Sequence, residues 1–262
     1  MPNAVLTEAA AFAESLADTA RAILGPAWRD APVTQWKEDA SPVTALDRAV
    51  EQRLRAMIEQ RFPGHGFIGE ETGQRGRDAE FAWIIDPIDG TAQFIAGIPV
   101  FGTLMALLRE GVPVVGVMDF AGSGDRWSGA AGGATTWNGK PVSTRPCGAL
   151  ADAALAVNGP DFFNGPRHAA MTALKDAARL RVTGAAALAY GMLASGRIDL
   201  AISGRLDAHD CMAFRPIIEG AGGVVTDWSG KPLTLATSGA ILAAGSPGLH
   251  GQALAIIASS SI

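Results

Sequence analysis

Cysteine is scarce in this 262-residue chain. Cys147 and Cys211 are its two cysteines, and neither lies in a CxxC pair. A pair of thiols cannot build a disulfide framework, so we expect two small, semi-buried side chains in a reducing compartment.

Long apolar runs and a targeting segment are also missing. The most apolar window, AAALAYGMLA at 185–194, is too short to cross a bilayer. The amino-terminal segment carries Glu8 and Glu14 within its apolar pattern and has no basic start, so it does not resemble a signal peptide. We therefore expect a cytoplasmic protein that has no membrane partner.

Blocks of basic residues are absent too. Lysine and arginine number 21 against 26 aspartates and glutamates, which gives a formal net charge of −5 at pH 7. An acidic chain without a basic cluster is not expected to bind nucleic acid or an anionic membrane surface. The partner class that remains is a small molecule.

Two cofactor signatures are missing as well. The four histidines are scattered and form no HxxH or HxxxH pair, which argues against a zinc site. The glycine-rich EGAGGVV at 219–225 follows a predicted helix, whereas a dinucleotide-binding loop follows a strand and opens a helix.

What is present is the composition of an ordinary globular protein, with 48% hydrophobic residues and 32 glycines. Apolar residues at helical spacing predict a first helix over 5–24, with Thr7 as a candidate cap and Gly25 as a stop. A second amphipathic helix is predicted over 43–62, with Thr44 as its cap.

Strands dominate the next part of the chain, and strands and helices alternate after about residue 150. The predicted elements are strands at 67–73 and 83–86, two strands within 101–120 joined at Glu110-Gly111, a hairpin within 125–142 turning at Asn138-Gly139, a helix over 167–180, and a helix over 210–222 that Pro216 kinks or breaks. This order favours a mixed α/β (α+β) fold with two tightly packed lobes, 1–145 and 146–262, and a site in the cleft between them.

The stretch WIIDPIDGTAQF, residues 83–94, ends an apolar strand with two carboxylates three residues apart. Asp86 and Asp89 repel each other at close range, and burying either one is costly unless a cation lies near. With the Ile88 carbonyl between them, they form the kind of oxygen cluster that Mg²⁺ prefers. The alternative is an ordinary turn with two solvated aspartates.

The residues after this pair suit a phosphate. Gly90 allows a tight turn, and Thr91 opens a predicted helix whose first N–H groups have no intrahelical partner and attract anions. Metal and phosphate together indicate phosphoryl transfer or hydrolysis. Further carboxylates, Glu70, Asp210 and Asp39, favour this interpretation over a solvated turn.

Four ordered segments resemble the motif blocks of the inositol monophosphatase superfamily: DASPVTALD (39–47), GEETG (69–73), WIIDPIDGT (83–91) and HDCMAFRPIIEGAGGVVTDWSG (209–230). Within it, FPGHGFIGEETG, DRWSG and PIIEGAGGVVTDWSG are most similar to the bacterial and plant histidinol-phosphate phosphatases. The resemblance implies a layered αβαβα sandwich, a Mg²⁺-dependent and lithium-sensitive phosphatase, and a homodimer.

The resemblance also implies roles for individual residues. Glu70, Asp86 and the Ile88 carbonyl would hold one Mg²⁺. Asp86, Asp89 and Asp210 would hold a second Mg²⁺, and a third, weaker ion would bind near Glu70. These five positions are the predicted metal ligands.

Phosphate and water are assigned to the turn that follows. Gly90 and Thr91 would present backbone N–H groups to the phosphate, and Thr91 and Asp39 would orient and help to deprotonate a water activated by the metal. The predicted catalytic residues are Asp39, Glu70 and Thr91. The predicted substrate-binding residues are Asp89, Gly90, Thr91, Ala186, Ser203 and Asp210.

The substrate-reading part of the resemblance is incomplete. Histidinol-phosphatase relatives carry an acid where this chain has alanines at 185–187, and the family commonly has a glutamate where this chain has Ser203. Such acids would pair with the ammonium group of histidinol. Asp207 and Glu219 are candidates to replace them.

The predicted function is Mg²⁺-dependent hydrolysis of a small phosphate monoester, with histidinol phosphate, and so histidine biosynthesis, as the first candidate. Inositol 1-phosphate, or another sugar or nucleotide phosphate, is the alternative. A second alternative is a non-catalytic member that binds a phosphorylated metabolite, because the alanines at 185–187 offer no polar contact.

Overall fold

The computed structural model describes residues 3–30, 33–37, 42–237 and 239–260 of the chain. The helices of these ranges are α1 (Asn3–Ala27), α2 (Ala45–Arg61), α3 (Thr91–Ile95), α4 (Pro166–Ala177), α5 (Leu188–Ala194), α6 (Ala208–Cys211), α7 (Phe214–Gly220) and α8 (Pro247–Ser259). Two short 3-10 helices cover Leu150–Asp152 and Pro160–Phe162.

The strands of the same ranges are β1 (Thr34–Trp36), β2 (Pro42–Thr44), β3 (Gly66–Gly69), β4 (Gln74–Arg75), β5 (Phe81–Asp89), β6 (Gly102–Arg109), β7 (Val112–Phe120), β8 (Asp125–Ala130), β9 (Thr136–Trp137), β10 (Lys140–Pro141), β11 (Ala154–Val157), β12 (Leu180–Thr183), β13 (Leu200–Leu206), β14 (Val224–Asp227) and β15 (Gly239–Ala244). β1 and β2 pair only with each other.

The first large sheet has eight strands in the order β10-β9-β8-β7-β6-β5-β3-β4 and is antiparallel except for the β3–β5 pair. Alternate residues of its central strands enter two different cores, because helices cover both faces. Trp83 and Ile85 pack beneath α1 and α2, whereas Ile84 packs on the opposite side with α5 and α7.

The second sheet has the order β12-β11-β13-β15-β14. β12, β11 and β13 run parallel, whereas β15 is antiparallel to both of its neighbours. One face packs against α4 and α8 through Leu155, Ile202 and Leu242, and the other face joins the core around α5 and α7.

The layers therefore run helices, sheet, helices, sheet, helices, which is the predicted αβαβα sandwich. The predicted division at residue 145/146 falls between β10 and β11 and remains a prediction. None of the described helices has the length and apolarity that crossing a membrane requires.

Several predicted elements agree with the structure, including the strand pair that turns at Glu110-Gly111 and the β9–β10 turn at Asn138-Gly139. Thr44 caps α2 as predicted, because its hydroxyl oxygen accepts the Leu46 N–H at 3.2 Å, and its own N–H and hydroxyl donate to Asp47 Oδ2 at 2.7 and 2.6 Å.

Other boundaries are corrected. α1 starts at Asn3, so Thr7 lies inside it, and the helix continues past Gly25 to Ala27, since a glycine within a helix costs only about 1 kcal/mol relative to alanine. The helix predicted over 167–180 ends at Ala177, and Leu180 begins β12. α8 was not predicted.

The segment predicted as one helix over 210–222 forms two, α6 and α7. The break at Met212–Ala213 precedes Pro216, which lies in the first turn of α7, where its missing N–H costs nothing. The break places Asp210 on a short helix of its own, ahead of α7.

Candidate active site

The predicted aspartate pair lies on a β-bulge at the end of β5. β5 and β6 pair in regular register from Phe81 to Asp86 and pair again at Asp89, with one extra residue on β5 between them. Residues three apart in a regular strand face opposite sides, so the extra residue returns Asp86 and Asp89 to one side. Both line a single cavity of about 390 Å³.

Local hydrogen bonds hold the bulge. The Ile88 N–H donates to Asp86 Oδ1 at 3.0 Å, and the Thr103 hydroxyl donates to the Pro87 carbonyl at 2.9 Å. The Thr91 hydroxyl donates to the Ile88 carbonyl at 3.0 Å. A carbonyl oxygen has two lone pairs, so the Ile88 carbonyl keeps one acceptor position for another partner.

The turn after the bulge also lines the cavity. Gly90 has φ +77°, a left-handed conformation that favours glycine, and its carbonyl accepts the Phe94 N–H at 2.9 Å. Thr91 then begins α3, as predicted. Because α3 has five residues, its free first N–H groups attract an anion more than its small dipole does.

Four predicted metal ligands bring carboxylates to this cavity: Glu70, Asp86, Asp89 and Asp210. They arrive from the ends of β3 and β5, which are neighbours in the first sheet, and from the short helix α6. Their positions in the sequence do not predict how close the four carboxylates lie, but the fold brings all four to one cavity.

Burial and mutual repulsion make the charged forms of these carboxylates unfavourable. Burial raises the pKa of Asp86, which is 2% exposed, well above its usual range, and the charges of Glu70, Asp210 and Asp89 raise it further. Burial is also the main cause that raises the pKa of Asp89 to about 7 and that of Asp210 to about 6. In the described part of the chain, neither Asp86 nor Asp89 has a lysine or arginine partner.

Backbone amides fix two of these carboxylates. The Ala187 N–H donates to Asp89 Oδ2 at 3.0 Å, and the Asp207 N–H donates to Asp210 Oδ2 at 2.7 Å. His209 Nε2 lies 3.2 Å from Asp210 Oδ1, and atoms of Asp207, His209 and Asp210 lie within 4.8 Å of one another as a candidate cation cluster.

Glu70 is held by a lysine. Lys37 Nζ lies 2.8 Å from Glu70 Oε1 and also pairs with Glu71. Burial lowers the pKa of Lys37, but hydrogen bonds to Glu70 and Glu71 outweigh burial and raise the pKa overall. Lys37 therefore stays charged and partly neutralises this side of the cluster.

A buried glutamate shapes the turn that carries Glu70. Glu51 accepts the Glu71 N–H at 2.9 Å and the Thr72 N–H at 2.6 Å. A Cβ at Gly69 would overlap the Glu51 carboxylate, so glycine is required there by close approach.

Two acids of the segment DASPVTALD, residues 39–47, have different outcomes. Asp39 lies outside the described residues, and its catalytic role stays a prediction. Asp47, in the first turn of α2, is a buried acid whose pKa is raised mainly by burial and also by the charge of Glu70. Its burial is a tertiary property that the sequence pattern did not reveal.

Ala186 and Ser203, the predicted substrate-binding residues outside the metal ligands and the phosphate turn, differ in their surroundings. Ala186 lines the cavity, and its φ of +46° is unusual for a residue other than glycine. Ser203 is 1% exposed in β13, and its hydroxyl lies 2.8 Å from the Tyr190 hydroxyl. Ser203 lines a neighbouring space of about 10 Å³ and is not among the residues that line the main cavity, and its contact with substrate stays a prediction.

A model described as the inositol monophosphatase family matches residues 5–261. The chain belongs to this family. Its relatives include the Bifunctional phosphatase IMPL2, chloroplastic, of Arabidopsis thaliana, 39% identical over 254 residues that cover 94% of this chain and 73% of the relative. A Histidinol-phosphatase of Chlorobaculum parvum is 34% identical over 199 residues, covering 74% of this chain and 76% of the relative.

A solved inositol monophosphatase structure from Zymomonas mobilis agrees with this assignment. It matches with a TM-score of 0.88 and 37% identity, and the match covers 96% of this chain and 98% of the other. The predicted family and fold are confirmed. Inositol monophosphatase family members are metal-dependent phosphatases, so the predicted class, a phosphoric monoester hydrolase, is confirmed as well.

Proposed function

We propose that the chain hydrolyses histidinol phosphate in a Mg²⁺-dependent reaction. The observation that carries the proposal is the convergence of Glu70, Asp86, Asp89 and Asp210 on one cavity that also contains the Gly90 turn. Four carboxylates this close together are costly unless a cation joins them, and the pKa values of Asp86, Asp89 and Asp210 are raised accordingly.

The donor set fits Mg²⁺, which prefers hard oxygen ligands. Glu70, Asp86, Asp89, Asp210 and the Ile88 carbonyl would hold two to three ions between them. When bound, the metal would supply Lewis acidity toward the phosphate and would lower the pKa of a water.

The chain's own groups would bind and orient the reactants. Free N–H groups at Gly90 and Thr91 would donate to the phosphate oxygens. Because the Thr91 hydroxyl already donates its proton to the Ile88 carbonyl, its oxygen can only accept from a further partner. Thr91 would therefore accept a hydrogen bond from the attacking water and orient it, with Asp39 as the predicted second partner.

The choice of histidinol phosphate draws on the 34% identity to a protein named Histidinol-phosphatase. Inositol 1-phosphate is the second candidate, supported by the 37% identity to a solved inositol monophosphatase. Other sugar or nucleotide phosphates remain alternatives from the sequence.

Phosphate release, measured side by side with Mg²⁺, tests the proposal on histidinol phosphate, inositol 1-phosphate, fructose bisphosphate and phosphoadenosine phosphate. We expect the highest kcat/KM for histidinol phosphate, by about tenfold, since its ammonium group adds a charged contact. A higher value for inositol 1-phosphate would transfer the assignment to that substrate. No release from any ester by folded protein would contradict the phosphatase itself.

Homodimerisation, a cytoplasmic location, lithium inhibition, a role in histidine biosynthesis and the two-lobe division also belong to this proposal. Each follows from the resemblance or from the composition. Sedimentation in solution tests the dimer first, because a species of monomer mass would contradict it.

A further inference from the structure

One acid in the cavity has no role in the predicted metal site. Among the described residues, five carboxylates line the cavity, and four of them are the predicted ligands. The fifth is Asp161, which is exposed, and no hydrogen bond or ion pair engages its carboxylate within the described ranges. Asp161 is therefore free to pair with a bound molecule.

The other acids proposed for this purpose face elsewhere. Glu219 pairs with Arg215 at 3.0 Å and borders a separate cavity beside Pro113. Asp207 caps α6, its N–H donates to Asp210 Oδ2, and it does not line the main cavity. Asp161 is thus the free acid that a substrate in this cavity would meet.

Asp161 lies on a wall that the fold builds at the carboxyl end of β11. The Asn158 N–H donates to the Ile202 carbonyl at 3.1 Å, and the Phe162 N–H donates to the Gly159 carbonyl at 3.1 Å. The carboxyl ends of parallel strands are the usual place for ligands in such sheets. The neighbouring parallel strands, β12 and β13, end at the same cavity.

Close packing anchors the wall. Phe163 is buried, and its ring lies 6.1 Å from the Trp228 ring. A Cβ at Gly204 would lie 2.6 Å from the Phe163 ring, so β13 and the wall touch as closely as glycine allows. The side chain next to Asp161 is therefore presented from a fixed backbone.

That side chain is Phe162, which lines the cavity and is 44% exposed. Exposed phenylalanine carries a free energy cost in water that a stacked ligand removes. A carboxylate and an aromatic face side by side match a molecule that carries an ammonium group and a planar ring.

We propose that Asp161 and Phe162 bind the alcohol part of the ester, with the Asp161 carboxylate pairing to an ammonium group and the Phe162 ring stacking on a planar ring. The inference rests on the proposed function, because it uses the same cavity. It gives the ammonium group a partner in place of the acids missing at 185–187 and at Ser203.

The test uses three phosphate esters: histidinol phosphate, the same ester without its amino group, and glycerol phosphate, which has neither group. We expect Asp161→Asn to raise KM for histidinol phosphate by about tenfold, since a charge-assisted bond is lost, and to leave the other two esters within about twofold. Phe162→Leu should raise KM for both ring-bearing esters about threefold and spare glycerol phosphate. kcat on glycerol phosphate should not change.

Asp176→Asn is the matched control, because Asp176 is an exposed aspartate on α4 that does not line the cavity. Equal losses on all three esters in Asp161→Asn, or no loss on any, would overturn the inference while leaving the phosphatase in place. The inference would also be overturned if wild-type protein hydrolysed glycerol phosphate but had the same KM for histidinol phosphate as for the ester without its amino group. Wild-type protein that hydrolyses no ester would overturn the proposed function itself.

Discussion

At the scale of the single residue, Asp89 links the two sheets through one hydrogen bond. It ends β5 of the first sheet, and it accepts the Ala187 N–H from the connection that leaves β12 of the second. Its pKa, raised by burial to about 7, reflects the cost of a charge held beside Asp210 and Glu70. A cation would remove that cost, and an amide in place of the carboxylate would remove it too, but without providing an anionic metal ligand.

We therefore predict opposite effects of Asp89→Asn on stability and on activity. The uncharged amide keeps an oxygen for the Ala187 N–H and relieves repulsion, so the Tm in chelator should not fall. Turnover should fall by about 100-fold or more, because an anionic ligand is lost. Phosphate release and thermal melting measure the two, with Asp176→Asn as control, and retained turnover would contradict the metal assignment.

Gly69 provides a second residue-scale prediction. Gly69→Ala would press a Cβ against the Glu51 carboxylate, break its bonds to the Glu71 and Thr72 N–H groups, and move the turn that carries Glu70. We expect a loss of about 1–3 kcal/mol in the free energy of unfolding, together with lower activity.

The matched control is Gly64→Ala, since Gly64 has open space where a Cβ would lie. Urea unfolding should show its change within about 0.5 kcal/mol of wild type. Equal effects of the two substitutions would mean that contact with Glu51 does not set the position of this turn.

At the scale of the element, bends and short connections create the site. The bulge in β5 turns two aspartates to one side, and the break between α6 and α7 sets Asp210 on a short helix of its own. α8 covers the second sheet, and His250 links it to β14 through a 2.9 Å bond between Nε2 and the Thr226 hydroxyl.

This link predicts a loss of stability in acid. The Thr226 hydroxyl donates to the Asp227 carbonyl at 2.7 Å, so His250 is the donor in its bond to Thr226. Burial lowers the pKa of His250 below its unfolded value of about 6.5. The unfolded state then binds more protons below about pH 6.5, so the free energy of unfolding is full above that pH and falls as pH drops toward the folded pKa.

His250→Gln should flatten this fall, because glutamine can still donate to Thr226 but does not titrate. Urea unfolding at several pH values between about 5 and 8 measures the slope. His65, whose pKa burial also lowers, is present in both proteins and cancels in the comparison. Identical slopes in the two proteins would contradict the role given to His250.

At the scale of the whole molecule, the cavity exists because two sheets meet across a helical layer. The first sheet contributes Asp86 and Asp89, the helical layer contributes Asp210, and the second sheet contributes the wall with Asp161. Binding a cation there should therefore stabilise the molecule as a unit.

We predict that Mg²⁺ raises the Tm of the chelator-treated protein. At a concentration of about 100 Kd the gain is about 2.7 kcal/mol, which for a chain of this size is about 5–10 °C. Asp210→Asn should reduce the shift, whereas Asp176→Asn should keep it, as measured by thermal melting at fixed ionic strength. A Tm that does not respond to Mg²⁺ would contradict the predicted metal site.

Sequence by itself determined the local chemistry and the general architecture. The strand that runs into Asp86, the glycine turn at Gly90 and the cap at Thr44 depend on neighbours in the chain, and the structure has all three. The αβαβα layering followed from the family resemblance. α8 escaped prediction because it is apolar around much of its surface, which hides helical periodicity.

Tertiary structure alone decided what surrounds the phosphate site. Ser203 stands where the family commonly has a glutamate, but its hydroxyl bonds Tyr190. Asp161 was not predicted as a site residue, yet it lines the cavity. The physical reason is that parallel strands bring their carboxyl ends together from distant parts of the chain. Local patterns therefore predict where a metal and a phosphate bind, and long-range packing decides which side chains meet the rest of the substrate.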